Sequence, residues 1–183
     1  MIDFIKVIQT RAFARQDGAI LGAVWIVSFA FTMLAVQPQY GLLGLIANIL
    51  TLSTPFVVAK RLKSFRDNAL DGSISFRRGL FYCIQTFFNA TLLLTIVQYL
   101  WFRFMDMGPF MSYMEASYKM VLQAYNMTEE NVKTLMEAIT MMKPIAWASM
   151  FMITDLIVGA VLSPIIAGVM ARRVKKQEII NQQ

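Results

Sequence analysis

The chain lacks histidine altogether and contains a single cysteine, Cys83. Without histidine there is no imidazole to act as a general base or metal ligand near neutral pH. A single cysteine cannot form an intramolecular disulfide. Zinc sites built from cysteine and histidine and Ser/His/Asp catalytic triads are therefore excluded, and we expect neither a metal nor a cofactor.

Charged residues are also scarce: they make up 15% of the chain, whereas 57% of the residues are hydrophobic. Soluble domains carry about 25% charged residues, so the composition indicates an integral membrane protein, and the length of 183 residues favours one domain. A cleaved signal peptide is not expected, because the first apolar stretch is too long and three more follow it.

Four apolar stretches are each long enough to cross a hydrocarbon core, which takes about 20 residues of helix. They predict transmembrane helices over residues 18–36, 41–59, 79–102 and 145–170. Only four residues join the first two helices, so these two form an antiparallel pair.

The long segment between the third and fourth helices has its own helical pattern. Over residues 108–143, apolar side chains recur at intervals of three and four, which predicts two amphipathic helices outside the membrane. The predicted fold is therefore all-α. It is an integral membrane four-helix bundle with an extracytoplasmic amphipathic helical hairpin between helices 3 and 4, in one transmembrane domain over residues 1–183.

The distribution of lysine and arginine predicts the orientation of the chain. Thirteen of the 17 basic residues lie in the N-terminal arm, the 60–78 loop and the C-terminal tail. Cytoplasmic loops carry this excess, so both termini are expected in the cytoplasm and the protein in a bacterial inner membrane. The N-terminal arm, residues 1–16, is weakly amphipathic and is predicted to lie on the inner leaflet as an interfacial helix.

Asp155 is the one charged residue in the predicted spans. A carboxylate near the centre of a membrane helix costs about 2.5–3.5 kcal/mol. At 1.5 Å rise per residue, Asn48 and Asn89 lie within roughly 7 Å of its depth, with Gln85 one turn from Asn89. This intramembrane polar cluster is either a proton, ion or substrate site, or a set of polar contacts that fixes helix register, including with a partner's helix.

The basic 60–78 loop and the tail after the fourth helix predict possible contacts with anionic lipid headgroups. The alternative is that these charges set the topology and bind nothing. The loop also mixes both signs of charge, which predicts a folded, salt-bridged segment with a turn at Gly72. The candidate headgroup contacts are Lys60, Arg61, Lys63, Arg66, Arg77, Arg78, Arg172 and Arg173.

Small residues form two stripes that allow helices to approach closely. Gly18 and Gly22 lie one turn apart on the first helix, and Gly159, Ser163 and Ala167 follow one face of the fourth. Such stripes predict packing within the chain or oligomerisation, but no chemistry.

Residues 65–79, FRDNALDGSISFRRG, resemble the characteristic loop of a family of small four-helix bacterial membrane proteins. This family is catalogued as domain-of-unknown-function family 4199 and occurs mainly in Gram-negative bacteria. The resemblance implies the same fold and a membrane location over nearly the whole chain. The family has no assigned activity, so the resemblance implies none here.

Two functions from different classes remain open. The first is a non-enzymatic membrane subunit or accessory protein of a bacterial envelope complex. The second is a small oligomeric transporter or lipid-handling protein, for lipid-linked glycans or phospholipids, that uses Asp155. The expected partners are the bilayer and either another membrane protein or a second copy of the chain, and not nucleic acid. An enzyme is not expected, because the spans contain no second acid for general acid–base catalysis.

Overall fold

The structure, a computed structural model, describes residues 4–124 and 129–171, and this part of the chain folds as helices joined by short connections. Four helical segments in it are long and apolar enough to cross a membrane. The elements are α1 (Phe4–Ala35), a 3-10 turn (Pro38–Tyr40), α2 (Gly41–Leu52), α3 (Thr54–Ala69), α4 (Phe76–Phe104), α5 (Gly108–Ala124), α6 (Glu129–Thr140) and α7 (Pro144–Met170).

The first helix is longer than its apolar stretch predicts. α1 is one continuous helix from residue 4 to residue 35, so the predicted interfacial arm is its first part and not a separate helix. No proline or glycine interrupts residues 4–17, and glycine and proline are the residues that disfavour a helix interior most. Tertiary packing also holds this part, since Thr10, Ala14 and Asp17 are buried.

The second span runs from Pro38 to Ala69 and is interrupted at Ser53, between α2 and α3. Pro55 lies in the first turn of α3, where its missing N–H costs little. The contact between α1 and α2 is polar near this interruption. The Ser28 hydroxyl lies 2.9 Å from both the Ala47 carbonyl oxygen and the Thr51 hydroxyl. The Trp25 indole N–H donates to Thr54 over 2.9 Å.

The predicted 60–78 loop is mostly helical, because α3 continues to Ala69 and α4 begins at Phe76. The remaining turn has Asp71 and Gly72 at φ of 50° and 77°, which confirms the predicted turn at Gly72. The Ser75 hydroxyl then accepts the Arg78 backbone N–H as an N-cap for α4. We call the end of the bundle that carries residues 70–75 the loop end, and the opposite end, which carries α5 and α6, the hairpin end.

α4 is the central helix, with α1 packed along one side and α7 along another. Both small-residue stripes lie at these contacts. Gly18 and Gly22 face Asn89, Ala90 and Leu93 of α4. Gly159 faces Phe87, and Ala167 lies against Gly79. The stripes therefore serve packing within the chain, since each glycine admits the opposite helix where a side chain would collide with it.

Two apolar cores stabilise the bundle. The larger core lies towards the loop end, where α3 packs against α1, α4 and α7 around Phe65, Tyr82 and Phe87. The second lies at the hairpin end, where Phe110 of α5 and Ile139 of α6 pack with Phe102 and Trp147. α5 and α6 contact each other, and the side of the membrane on which they lie remains a prediction.

Candidate functional site at the loop end

One of the two most heavily buried charged side chains among the described residues lies where three helices meet at the loop end. The Asp17 side chain of α1 is 3% exposed. Its carboxylate accepts a hydrogen bond from Arg61 Nε of α3 over 2.6 Å and another from the Tyr82 hydroxyl of α4. Arg61 also forms an ion pair with the same carboxylate. These contacts tie α1, α3 and α4 together through one acid.

Arg66 connects α3 to the end of α7. Its side chain is 3% exposed, and it donates to the neighbouring Asp67 carboxylate over 2.7 and 3.2 Å. It also donates to the Met170 carbonyl oxygen over 3.2 Å. The last carbonyls of a helix have no partner within the helix, and a cation placed there is favoured by the helix dipole. Arg66 therefore caps α7 from outside the helix.

Arg78 joins α4 to the first part of α1. It donates to the Thr10 hydroxyl over 3.0 Å and to Gln9 Oε1 over 2.7 Å. The guanidinium carbon lies 5.5 Å from the centre of the Phe65 ring, within the range of a cation–π contact. Phe65 in turn stacks on Tyr82 at 5.2 Å between ring centres.

The candidate headgroup residues divide into three groups. Arg61, Arg66 and Arg78 are engaged inside the protein, so the structure commits them to helix packing. Lys60, Lys63 and Arg77 are exposed at the loop end. Arg172 and Arg173 lie outside the described residues. An anionic headgroup would therefore meet the three exposed cations at this end of the bundle.

The structure does not join the predicted intramembrane cluster by hydrogen bonds within the described residues. Asn48 is exposed on α2. Asn89 lies against Gly18 and donates over 2.6 Å to the Gln85 carbonyl oxygen of its own helix. Asp155 is partly buried on α7, and its Oδ2 is buried without a hydrogen-bond partner. Their similar depth along the helices is therefore not accompanied by hydrogen bonds between them.

Sequence reasoning overlooked two polar groups that the structure makes prominent. Asp17 lies directly before the first apolar stretch, and no local sequence pattern marks it as buried. Thr91 and Gln98 of α4 are buried, and Thr91 Oγ1 and Gln98 Oε1 have no hydrogen-bond partner. Their spacing of seven residues, which puts both on one helix face, was a signal that the sequence did contain.

In chemical terms, the loop end is a set of paired charges that connects four helices. Each of the three buried or half-buried guanidiniums has a carboxylate, carbonyl or hydroxyl partner within the fold. Within residues 4–124 and 129–171, no group of three or more His, Cys, Asp or Glu side chains is placed to hold a metal ion. The arrangement fixes helix positions and leaves Lys60, Lys63 and Arg77 facing outwards.

Residues 65–79, which carry the family resemblance, supply part of this network. Phe65, Arg66 and Arg78 make the contacts described above, Gly72 forms the turn, and Ser75 caps α4. No curated protein and no solved structure gives a significant match to the chain. The family described as "Protein of unknown function (DUF4199)" matches residues 16–172. The chain therefore belongs to this family.

Proposed function

We propose that the protein is a non-enzymatic integral membrane subunit, an accessory protein of a bacterial envelope complex, that binds a partner's transmembrane helix on the exposed face of α2. It would lie in the inner membrane with both termini in the cytoplasm. The observation that carries this proposal is the position of Asn48, a polar amide on the outside of an apolar helix.

Asn48 lies well inside the apolar part of the second span. It is eight residues from Tyr40 and twelve from Lys60, or about 12 and 18 Å along a helix. Its side chain is exposed and makes no hydrogen bond with any described residue. Leu45 and Leu52, three residues before it and four after it, are exposed on the same face.

An exposed side-chain amide is unfavourable inside the membrane, because hydrocarbon offers it no hydrogen-bond partner. A second helix that supplies a partner removes the cost, and such interhelical hydrogen bonds contribute about 0.6–2 kcal/mol. The flanking leucines would pack against the same helix. Asn48 therefore favours a protein neighbour over lipid at this face.

The rest of α2 supports the same conclusion. Ala47 is its one buried residue, and its main contact is with α1. The small-residue stripes, which were the sequence-based candidates for a partner surface, are already used by α4. The exposed face of α2 thus combines one polar side chain, Asn48, with the exposed apolar side chains of Leu45 and Leu52.

A pair of single-cysteine variants tests this proposal. In a Cys83→Ala background, Leu45→Cys and Ile46→Cys carry the same photoreactive label at adjacent, exposed positions, and both keep the Asn48 amide. Leu45 lies on the Asn48 face of α2, whereas Ile46 lies on a different face. In native membranes we expect Leu45→Cys to give a stoichiometric cross-link to one other membrane protein. The Ile46→Cys control should give at least fivefold less of the same product.

The complex should also depend on the amide itself. With Cys83 intact, Asn48→Leu should release at least nine-tenths of the partner on purification in mild detergent, whereas Ile49→Leu should retain it. A protein that purifies alone and gives no cross-link from position 45 would contradict the proposal.

One observation favours the alternative function, a small oligomeric transporter or lipid-handling protein. Lys60, Lys63 and Arg77 are exposed at the loop end, where a lipid phosphate would meet them. On this alternative, the cross-link from position 45 would join two copies of the chain. A specific anionic lipid would copurify, and it would be lost when the three cations are replaced by glutamine.

A further inference from the structure

A second group of polar atoms lies in the seam between α4 and α7, away from the loop end and from α2. Asp155 lies on α7 between Phe151 and Gly159, one turn from each. Phe151 stacks on Phe102, and Gly159 faces Phe87, so this stripe of α7 faces α4. Asp155 is midway along the stripe and therefore faces the part of α4 midway between residues 87 and 102, around Leu94.

Thr91 and Gln98 flank Leu94 on the same buried face of α4. They lie three and four residues from it, about one helical turn or less. Thr91 is 0% exposed and Gln98 is 3% exposed. Thr91 Oγ1, Gln98 Oε1 and Asp155 Oδ2 are all buried without a hydrogen-bond partner. Three unpartnered oxygens thus lie within about two helical turns of one another along the contact between α4 and α7.

These atoms cannot all be satisfied by one another if Asp155 is ionised. A carboxylate and the Gln98 side-chain oxygen are both acceptors, and the threonine hydroxyl can donate only one hydrogen bond. A buried acceptor left unpaired costs about 1–3 kcal/mol. One proton added to Asp155 supplies the missing donor, because a carboxylic acid can donate to the Gln98 oxygen while it accepts from Thr91.

No charged side chain of the described residues pairs with Asp155. α4 carries Arg77, Arg78, Tyr82 and Cys83 towards the loop end, and its titratable residues nearest Leu94 are the exposed Tyr99 and Arg103. From α3, Arg66 reaches the end of α7 at Met170, fifteen residues from Asp155. The α5 and α6 side chains Glu115, Lys119, Glu130, Lys133 and Glu137 line the groove between those two helices.

We propose that the α4–α7 seam is a proton-binding site, in which Asp155 is held as the neutral carboxylic acid. It donates its proton to Gln98 Oε1, directly or through one water molecule, and accepts a hydrogen bond from the Thr91 hydroxyl. This inference does not depend on the partner helix proposed for α2, because the two sites share no residue.

Infrared spectroscopy of the full chain in bilayers of ether-linked lipids, which have no ester carbonyl band, tests the proposal. A protonated carboxylic acid has a carbonyl stretching band that a carboxylate lacks. We expect a carboxylic acid band from Asp155 at neutral pH, which moves to lower frequency in heavy water. The band should be absent in Asp155→Asn and present in the control Asp106→Asn.

The frequency of the band tests the two hydrogen-bond partners proposed for Asp155. Thr91→Val and Gln98→Met each remove one hydrogen bond and should shift the band to higher frequency. Absence of the band from the wild-type protein at neutral pH would overturn the proposal. A band that appears only after sodium is removed would also overturn it, in favour of a metal cation site. The wild-type shift in heavy water tests the proposal even where a variant fails to fold.

Discussion

Replacing Asp17 with leucine is expected to lower the free energy of unfolding by about 3 kcal/mol, the lower end of the range for breaking a buried ion pair. The substitution leaves the Tyr82 hydroxyl without its acceptor and Arg61 without its carboxylate. The loss is placed at the lower end because the Arg61 side chain is 35% exposed and can turn to water.

Cys83 supplies the measurement. It is the one cysteine of the chain and is 0% exposed, so a fluorogenic maleimide labels it only as the protein unfolds. Labelling against temperature in mild detergent should show a midpoint for Asp17→Leu well below that of the wild type. Tyr82→Phe, which keeps the ion pair, should lower the stability by about 1.5 kcal/mol, the lower end of the range for one lost hydrogen bond to a charged group.

A double-mutant cycle separates the ion pair from simple loss of packing. Asp17→Leu combined with Arg61→Met removes both charges, so no uncompensated charge remains. The double variant should therefore be less destabilised than the sum of the two single variants. Strict additivity, or an Asp17→Leu variant as stable as the wild type, would show that the pair contributes nothing to holding α1 on α3 and α4.

The number of membrane spans could be predicted from the sequence because a run of about 20 apolar residues has few other uses. The ends of the helices could not. Hydropathy marks where a helix leaves the apolar layer, whereas the helix itself continues as long as its residues favour it. α3 therefore extends through Lys60, Arg61 and Lys63 to Ala69, and α1 begins before Lys6, Arg11 and Arg15.

The predicted polar cluster shows a different limit. Asn48, Asn89 and Asp155 were grouped by depth along their helices, and depth says nothing about the direction in which each side chain points. In the structure Asn48 is exposed, Asn89 contacts α1 at Gly18, and Asp155 lies on α7 between Phe151 and Gly159, which both contact α4. The Asp17–Arg61 contact spans 44 residues and depends on how α3 folds back onto α1, which no local pattern encodes.

The contact of α7 with α4 should be highly sensitive to small additions of volume. A methyl group at Gly159 would lie 2.7 Å from Cβ and 2.8 Å from Cγ of Phe87. The Phe87 Cβ atom is fixed to its backbone and cannot rotate away, so the two helices would have to separate. Overpacking of this kind costs about 1–3 kcal/mol, and we expect Gly159→Ala to lower the stability by about 2 kcal/mol.

Gly168 of the same helix is the matched control. A methyl group there meets nothing within 4 Å, and alanine is favoured over glycine in a helix by up to about 1 kcal/mol. Gly168→Ala should therefore leave the Cys83 labelling midpoint unchanged or raise it, while Gly159→Ala lowers it. Equal midpoints for the two variants would mean that α7 does not approach α4 as closely as the structure shows.

The same reasoning applies on the other side of α4. A methyl group at Gly18 would lie 2.7 Å from Asn89 Cβ and 2.8 Å from the Thr86 carbonyl oxygen, and both atoms are held by the α4 backbone. Gly18→Ala should thus be as costly as Gly159→Ala. The two added methyl groups lie on different helices and contact different residues of α4. The losses in free energy of unfolding should therefore add to within about 0.5 kcal/mol in the double variant. A double variant no less stable than either single one would mean that α4 shifts as a unit to relieve both contacts.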